Sequence, residues 1–377
     1  MKLLCITHGA DMMGANRCLL DLLEQLEPYK VVGTVLVPAE GKLTEELRKR
    51  NIPYIIAQYK LWAFTKYFRV GYWLNPWYQI QNKKHVANIA KNIVNEGFDA
   101  IYSNSSIIGI GAQLAEQIEL PHIWHIREFG ELDYDQHFYG GRKYFNQWAN
   151  KAKLVISMSA AIDKAVLQGI TAPKSVMHDG IIAQEKLARI ELNKNHTEDP
   201  FTFLIIGALR ASKGQHLAIK AIHQLSKKYK NIKLLVAGTG QRLYTRQIKA
   251  YVKKHSLDKL VEFTGYINDP YLVHRQSHCT LMCSRSEGMG RVTLEAMVVG
   301  NPVIGFNGGA TPELIDHEKD GLIFDGTVTD LANCMEKLLL NRDLCQLYGQ
   351  AGRKKIEQHY TLERQGKEMF DLLEKYI

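Results

Sequence analysis

Two glutamates stand eight positions apart in the stretch SRSEGMGRVTLEAMVVGNPVIG, residues 284–305. Glu287 lies in a glycine-containing loop, where backbone amides can approach a polar ligand closely. Glu295 lies one or two turns into a predicted helix, where a carboxylate can accept both hydroxyls of a cis-diol such as ribose. Solvent-facing glutamates are common on helices, so either residue alone would indicate little. Their spacing around SEGMGR favours a binding site.

A second charged loop occurs in IIGALRASKGQHLAIKAI, residues 205–222. A predicted buried strand ends at Gly207, the loop carries Arg210 and Lys213, and Gly214 opens a helix. Backbone N–H groups at a helix start, with an Arg and a Lys nearby, form an anion site suited to a diphosphate. The alternative is a solvated loop between a strand and a helix.

The elements that must position these loops alternate between strands and helices along the chain. Strand-like runs such as KLLCIT, VVGTVLV and LVISMS are separated by helical patterns such as ANRCLLDLLEQLE. This alternation predicts an α/β fold with parallel sheets covered by helices on both faces. The pattern pauses near residues 178–200, so we expect two doubly wound, Rossmann-like domains. Ligands would bind beyond the carboxyl ends of the strands, in a cleft between the domains.

Length and composition limit the class of protein. A chain of 377 residues suits two globular domains of ordinary size. No apolar run approaches the length of a spanning helix, and the apolar start MKLLCITHGA is too short for a signal peptide. The six cysteines form no CxxC pair, so neither a zinc site nor a disulfide framework is indicated. We infer a cytoplasmic protein in a reducing compartment.

The net charge of +9 is concentrated in one segment. Residues 47–95 contain nine Lys or Arg side chains and no Asp or Glu, and the remaining 48 − 9 = 39 cationic residues balance the 39 acidic ones. This distribution indicates one anionic partner surface. Within it, nine of the 22 residues at 59–80 are aromatic, interleaved with Lys60, Lys66 and Arg69.

Three interpretations of this basic aromatic segment remain open. It could contact an anionic membrane surface or a lipid-linked acceptor, since aromatic rings favour the membrane interface and lysines are attracted to anionic headgroups. Its aromatic rings could instead belong to the core of a helical part of the first domain. Nucleic acid is the third interpretation, and we do not expect it as a partner.

The motifs extend into a signature that resembles one enzyme family. The matching stretches are residues 286–291, 295–297, 300–305 and 308–313. They resemble the retaining, nucleotide-sugar-dependent glycosyltransferases of family 4, of the glycogen synthase and phosphatidylinositol mannosyltransferase type, in which seven residues also separate two glutamates. The resemblance implies the GT-B fold. Its acceptor domain would be residues 1–180, its donor domain residues 181–360, and a last helix at 361–377 would pack back on the first domain.

The family resemblance also implies roles for single residues. Lys213 would bind the donor diphosphate, Glu295 the nucleotide ribose, and Glu287 the transferred sugar. Further donor contacts would come from a set of mostly glycine and loop residues: Gly14, Gly207, Gly240, Tyr266, Gly288, Met289, Gly290 and Arg291. The sequence departs from the family at Ala208, where an arginine is usual. Arg210, two positions on, could reach the same phosphate.

The segment WHIREFGE holds the predicted residues of the first domain. A single histidine after a strand is more often structural, but the family places one near the reacting sugar, which favours a catalytic-site role for His125. It would orient and hydrogen-bond hydroxyls, with no nucleophilic attack. Arg127 and Glu128 could contact the acceptor or form a surface ion pair.

Asp133 and Asp135 spell the DxD pattern with which another glycosyltransferase architecture holds a divalent metal. The resemblance places them in the acceptor domain, and two aspartates at this spacing often occur by chance. We expect no metal and no other cofactor, because basic side chains and helix dipoles can neutralise a leaving diphosphate.

The sequence therefore predicts a retaining, metal-independent glycosyltransferase. It would transfer a hexose-type sugar from a nucleoside diphosphate sugar, with UDP the expected nucleotide, to a hydroxyl of a glycan acceptor. The acceptor could be lipid-linked, in bacterial surface polysaccharide synthesis at the inner face of the cell membrane. A non-catalytic sugar-nucleotide-binding partner and a nucleotide-sugar epimerase are the alternatives. A dinucleotide oxidoreductase is disfavoured because HGADMMGAN lacks the GxGxxG spacing.

Overall fold

The computed structural model describes residues 1–65, 71–193 and 199–377. These residues divide into two compact units. The N-terminal unit comprises Met1–Gly180 with Leu362–Ile377, and the C-terminal unit comprises Ile181–Thr361. The chain thus leaves the first unit after Gly180 and returns to it at Leu362.

Among the described residues, the N-terminal unit has a sheet of seven parallel strands in the order β3-β2-β1-β5-β6-β8-β9. The central strands are short apolar runs that are buried on both faces, as parallel strands covered by helices must be. The strands are β1 (Lys2–Ile6), β2 (Val32–Val37), β3 (Tyr54–Ile56), β5 (Ala100–Ser103), β6 (His122–Ile126), β8 (Leu154–Ser157) and β9 (Lys174–Val176).

The helices of the N-terminal unit connect these strands and cover the sheet. They are α1 (Gly14–Leu26), α2 (Lys42–Lys49), α3 (Gly71–Ile93), α4 (Gly109–Gln117), α5 (Glu131–Tyr134), α6 (Gly141–Ala149), α7 (Ala160–Val166) and, from the other end of the chain, α16 (Leu362–Tyr376). Helix α16 lies against α1, where Gly366 allows contact because an added Cβ would lie 2.5 Å from the Gln25 Cβ. The Phe370 ring stacks on Tyr29 with ring centroids 4.5 Å apart.

A two-stranded antiparallel sheet adds to the N-terminal unit a feature that the sequence pattern did not predict. Strand β4 (Ala63–Thr65) pairs with β7 (Gln136–Phe138), with Phe64 opposite His137. Around this sheet Phe138 stacks on Phe145 with ring centroids 4.4 Å apart. A separate aromatic cluster therefore extends the core beyond the seven-stranded sheet.

Part of the basic aromatic segment belongs to this core. The side chains of three of its residues are at most 7% exposed: Tyr59, Trp62 and Phe64. Trp77, in contrast, is 52% exposed on α3. The predictions that involve Lys66 and Arg69 fall on residues 66–70, outside the described residues. The core interpretation thus accounts for the first rings of the segment, and Trp77 has a different environment.

The described part of the C-terminal unit has a sheet of six parallel strands in the order β12-β11-β10-β13-β14-β15. The strands are β10 (Phe201–Ile206), β11 (Ile232–Ala237), β12 (Val261–Gly265), β13 (Cys279–Met282), β14 (Val303–Phe306) and β15 (Gly321–Phe324). The helices are α8 (Gln184–Arg189), α9 (Gln215–Leu225), α10 (Arg242–Lys254), α11 (Pro270–Arg275), α12 (Arg291–Val298), α13 (Thr311–Leu314), α14 (Val328–Leu340) and α15 (Arg342–His359). The predicted α/β class with two Rossmann-like parallel-sheet domains is confirmed.

Helix α12, which carries Glu295, is held by a close approach of α15. Gly349 on α15 lies so near the end of α12 that an added Cβ would lie 1.9 Å from the Gly300 carbonyl oxygen. One turn further on, the buried Arg353 guanidinium donates to the Val298 carbonyl at 2.5 Å. This bond satisfies one of the carbonyls that a helix end leaves without an intrahelical partner.

We expect Gly349→Ala to destabilise the protein by about 1–3 kcal/mol, because the added methyl group would force the two helix backbones apart. Helix propensity alone predicts the opposite, a gain of about 1 kcal/mol for Ala over Gly. Guanidinium unfolding curves measure the difference. The exposed neighbour Gln350→Ala is the control, expected within about 0.5 kcal/mol of the parent. A Gly349→Ala variant as stable as the parent would contradict this account of α12.

Candidate functional site

The loops that follow β10 and β11 contact each other through their backbones. Gly207 N–H donates to the Ala237 carbonyl at 3.0 Å, and Leu209 N–H donates to the Thr239 carbonyl at 3.0 Å. Gly238 has a φ of +130°, and an added Cβ there would lie 2.0 Å from the Gly207 carbonyl oxygen. Glycine is therefore required at position 238 for contact between the loops. This contact fixes the backbone at Gly207, where the loop that carries Lys213 begins.

The Lys213 loop also contacts the loop that follows β13. Gly214, with a φ of +73°, packs so closely that an added Cβ would lie 2.4 Å from the Cys283 carbonyl oxygen. The Ser284 hydroxyl donates to the Ser212 carbonyl at 3.2 Å. Since β10 and β13 are neighbours in the sheet, their carboxyl ends bring these two loops together.

This contact places two predicted site residues side by side. The Lys213 ammonium donates to the Glu287 carboxylate, although the residues are 74 positions apart in the sequence. The side chains are 24% and 16% exposed, so both are accessible to a ligand. An ammonium and a carboxylate at the end of a sheet can contact a phosphate and a hydroxyl of one ligand.

The loop that follows β14 supports Glu287 from the other side. Ala310 N–H donates to the Glu287 carbonyl at 2.9 Å. An added Cβ on Gly309 would lie 2.7 Å from the same carbonyl oxygen, so glycine is needed for this approach as well. The loop that follows β14 thus fixes the backbone of Glu287, and the Glu287 side chain contacts Lys213.

Glu295 lies in the middle of α12, one turn beyond the glycine loop. Gly290, in the left-handed region at a φ of +83°, precedes the helix. Arg291 Nε lies 4.0 Å from Glu295 Oε1, one helical turn away, and the Glu295 side chain is 16% exposed. The carboxylate is therefore half-buried and accessible, as a ribose-binding residue must be.

The other predicted donor residues differ in exposure. Arg210 is half-buried at the start of the short 3₁₀ turn Ala211–Lys213, and Tyr266 is 69% exposed after β12. Met289 is 2% exposed, so its side chain fills the core and only its backbone can contact a ligand. The donor roles of all these residues, including Gly240 and Gly288, remain predictions.

In the N-terminal unit, the loop that follows β1 is held by Asn16. The buried side-chain amide of Asn16 donates to the Gly9 carbonyl at 3.1 Å and the Asp11 carbonyl at 2.7 Å. Gly14 begins α1, and no heavy atom lies within 4 Å of an added Cβ. The space beside Gly14 is therefore open within the N-terminal unit. The predicted approach of a diphosphate to this backbone requires such space.

His125 lies near the carboxyl end of β6 in a buried polar network. Its Nδ1 atom lies 2.6 Å from the Tyr102 hydroxyl oxygen and 3.4 Å from Arg127 Nη2. Burial lowers the pKa of His125 well below its ordinary value, and the Arg127 charge lowers it further against an opposing effect of Asp179. The imidazole is therefore neutral at physiological pH.

Arg127 is paired inside the N-terminal unit. Its Nη1 donates to Asp179 Oδ2 at 2.6 Å and its Nε donates to Asn104 Oδ1 at 2.6 Å. Burial lowers the pKa of Arg127, but the adjacent Asp179 carboxylate more than offsets this and holds the pKa above its ordinary value. The sequence predicted a surface ion pair as the alternative role of Arg127. Arg127 does form an ion pair, but the pair is buried and therefore not on the surface.

Glu128 faces the polar turn that follows β5. Its Oε1 atom accepts hydrogen bonds from the Ser105 hydroxyl, from the Ser106 N–H at 2.8 Å and from the Ser106 hydroxyl at 2.7 Å. These donors fix the carboxylate at the end of the sheet. Contact of Arg127 or Glu128 with an acceptor remains a prediction.

Sequence reasoning missed most of this network, which includes Tyr102, Asn104, Ser105, Ser106, Asp179 and Gln365. One signal was present: the polar run NSS, residues 104–106, follows the buried strand β5 directly, at the edge of the sheet where parallel strands end. Gln365 gave no such signal, because it is one of many polar residues on an amphipathic helix.

The aspartates of the DxD pattern contact different groups. Asp133 accepts from the Phe129 N–H at 3.0 Å, whereas Asp135 Oδ1 lies 3.4 Å from His137 Nε2. Burial raises the pKa of Asp133 to about 6, against a lowering effect of the Phe129 hydrogen bond, and the nearby Glu128 charge also raises it.

Comparison with known proteins adds to this geometry. Residues 188–355 match the family model of the group 1 glycosyl transferases. Anabaena HepE, solved in complex with UDP, superimposes with a TM-score of 0.81 over 100% of both chains at 20% identity, which shows the fold. The two Rossmann-like units therefore define a GT-B protein. Within that fold, residues 188–355 are similar to the group 1 glycosyl transferases, so the resemblance predicted from the sequence is confirmed.

Two relatives with assigned names share about half their length with this chain. A Mycobacterium tuberculosis protein named GDP-mannose-dependent α-(1-6)-phosphatidylinositol monomannoside mannosyltransferase is 31% identical over 201 residues, which cover 49% of this chain and 51% of the relative. Staphylococcus aureus CapM, named as a capsular polysaccharide biosynthesis glycosyltransferase, is 23% identical over 220 residues, 56% of this chain and 55% of the relative.

We expect Asp133→Asn to stabilise the protein at pH 8 by about 1–2 kcal/mol, since it removes a charge that the folded state disfavours. A raised folded pKa means that the folded state binds more protons than the unfolded state between pH 3.8 and about 6. The free energy of unfolding of the parent therefore falls as pH rises through this window. Urea unfolding of both proteins at several pH values measures the difference. A variant less stable than the parent at pH 8 would refute this assignment.

Proposed function

We propose that the chain is a retaining glycosyltransferase that transfers a hexose-type sugar from a nucleoside diphosphate sugar to a hydroxyl of a glycan acceptor. The observation that carries the proposal is the contact of Lys213 with Glu287, at the head of the helix that carries Glu295. These three side chains suit the diphosphate, the sugar and the ribose of such a donor. The C-terminal unit would bind the donor, and the N-terminal unit the acceptor.

The proposed chemistry depends mainly on charge and position. The bond between the anomeric carbon of the donor and a phosphate oxygen breaks, and negative charge develops on the departing diphosphate. Lys213 stabilises that charge, while Glu287 and the amides of Gly288 and Gly290 hold the sugar. The acceptor oxygen forms the new bond with the same anomeric configuration, and the proton of the acceptor hydroxyl passes to the departing diphosphate oxygen. The side chains supply positive charge without a metal, so we expect transfer to continue in EDTA.

The names of similar proteins support two donor nucleotides. HepE was solved with UDP, and the mycobacterial relative is named as GDP-mannose-dependent. Our proposal keeps UDP as the first nucleotide to test and GDP as the second. The name of CapM supports a surface polysaccharide as the acceptor class.

We expect Lys213→Met and Glu295→Gln each to weaken nucleoside diphosphate binding by about 10–100-fold, since a hydrogen bond to a charged group contributes about 1.5–3 kcal/mol. Isothermal titration calorimetry with UDP and GDP, each with and without EDTA, measures the affinity. Lys228→Met is the matched control, because this exposed lysine follows α9 whereas Lys213 precedes it.

Equal affinity in the parent and both variants would show that the donor site is elsewhere. Transfer is tested separately by product analysis after incubation with the nucleotide sugar that binds. A product with the donor's anomeric configuration supports retention. Binding without any product would favour a non-catalytic partner, and a donor altered at a single sugar carbon would favour an epimerase.

We further propose that the outer face of α3 brings the N-terminal unit to an anionic membrane surface. Trp77 and Ile80 are 52% and 57% exposed, three positions apart on one face of the helix. Lys83 and Lys84 are exposed on the next turn. Exposed aromatic and basic side chains together suit an interface with anionic lipids. Among the described residues, none of the helices combines the length and the apolar character needed to cross a bilayer.

We expect Lys83→Ala/Lys84→Ala to weaken binding to phosphatidylglycerol vesicles about 30-fold, because each lysine near an anionic surface contributes about 1 kcal/mol. Vesicle co-sedimentation at low and high salt measures the partitioning. Lys253→Ala/Lys254→Ala, which removes two adjacent exposed lysines from α10, is the control. If the parent binds neutral phosphatidylcholine vesicles equally well, or if both double variants behave alike, the proposed membrane face is wrong.

A further inference from the structure

The buried network around His125 determines which of its ring nitrogens carries the proton. Arg127 can only donate hydrogen bonds, and its Nη2 faces His125 Nδ1 at 3.4 Å. Tyr102 faces the same nitrogen at 2.6 Å, and burial raises the pKa of its hydroxyl, so that hydroxyl keeps its proton and can donate it. The Tyr102 oxygen could also accept a proton from Nδ1, but Arg127 cannot, so a proton on Nδ1 would face the N–H groups of Arg127. This geometry favours Nδ1 as the acceptor and Nε2 as the nitrogen that carries the proton.

The protonated nitrogen has no hydrogen-bond partner within the described part of the chain. His125 is 0% exposed, and its Nε2 atom contacts no hydrogen-bonding group there. Leaving a buried donor unpaired costs roughly 1–3 kcal/mol, so native proteins rarely retain one. The unpaired Nε2–H of His125 lies near the carboxyl end of β6, where parallel sheets bind ligands, so it suits an oxygen atom of a substrate as its acceptor.

Two residues far apart in the sequence hold Arg127 in place. Asp179 accepts from Arg127 through Oδ2 and from the Gln365 side-chain amide through Oδ1, at 2.6 Å and 2.7 Å. The side-chain oxygen Oε1 of Gln365 in turn accepts from the Gly180 N–H at 3.0 Å. Asp179 lies just before the chain leaves the N-terminal unit, and Gln365 lies on α16 just after its return.

We infer that Asp179 and Gln365 are positioning residues for glycosyl transfer: through Arg127 they fix His125 in the neutral form that donates from Nε2 to a substrate oxygen. This inference rests on the proposed function and extends it to residues that do not touch the substrate. It also gives His125 a specific role. The imidazole donates a hydrogen bond and does not act as a general base, because the nitrogen with the lone pair faces Tyr102 and Arg127.

Protein labelled with ¹⁵N at histidine tests the inference in the full chain. Two-dimensional ¹H–¹⁵N spectra separate protonated from unprotonated ring nitrogens, and His125→Gln assigns the signal. We expect an Nε2-protonated, neutral His125 in the parent. An Nδ1-protonated or doubly protonated ring would overturn the inference, whether or not the protein transfers a sugar.

The variant that isolates the network is Arg127→Met/Asp179→Leu. Replacing a buried ion pair by apolar residues of similar size often preserves the fold, whereas removing one partner leaves an uncompensated charge. We expect the His125 signal to shift to a mixture of tautomers, while the signal of His122 stays unchanged. His122 is the internal control, since it lies on the same strand and its Nε2 contacts the Ser103 hydroxyl.

Turnover separates positioning from simple structural support. We expect kcat to fall in proportion to the fraction of molecules with the proton on Nδ1, about twofold for an equal mixture, since losing one preorganised donor costs those molecules on the order of 10²–10³ in rate. The Kd for the nucleoside diphosphate should not change, because Arg127 and Asp179 lie outside the predicted donor residues. Retention of the parent tautomer, or an altered tautomer with unchanged kcat, would overturn the inference.

If the double variant does not fold, Gln365→Met provides a second test of the network. It removes the hydrogen bonds to Asp179 and Gly180 and leaves the ion pair in place. We expect a smaller shift of the His125 signal in the same direction, and an unchanged spectrum would overturn the role of Gln365. A parent without transfer activity but with the expected tautomer would contradict the proposed function and leave the network assignment intact.

Discussion

A buried guanidinium beside a buried carboxylate is the interaction on which the N-terminal unit depends. Arg127 and Asp179 are 3% and 2% exposed at their side chains, and neither charge could stay there without the other. The pair joins Arg127, at the end of β6, to Asp179, where the chain leaves the unit. Gln365 joins Asp179 to α16. The buried ion pair thus connects the end of β6, the segment at Asp179 and α16.

The C-terminal unit uses backbone contact where the N-terminal unit uses buried charge. Its loops meet at Gly238, Gly214 and Gly309, and at each of them an added Cβ would lie less than 3 Å from a backbone atom of another loop. The contacts fix the loops without covering them, so Lys213 and Glu287 remain partly exposed. This arrangement suits a site where a ligand approaches the backbone closely and contacts charged side chains at the same time.

The sequence predicted what depends on local pattern. Alternating apolar runs predicted both sheets, and the glycines that follow Glu287 predicted the loop that carries it, because only certain residue types satisfy those backbone constraints. The partners of Arg127 could not be predicted in this way. Asp179 is 52 positions away and Gln365 lies 186 positions beyond Asp179, so their meeting depends on topology. The pairing of β4 with β7 was missed for the same reason: each strand has only three residues, too few to show a period.

The Lys213–Glu287 pair and the Arg127–Asp179 pair differ in whether a ligand can compete for the contact. Lys213 and Glu287 are 24% and 16% exposed, and a partly solvated pair contributes little net stability, so a diphosphate and a sugar hydroxyl can replace the contact at small cost. Arg127 and Asp179 are excluded from water, and separating them would leave two uncompensated charges inside the unit. The first pair is therefore suited to binding, and the second to holding other groups in position.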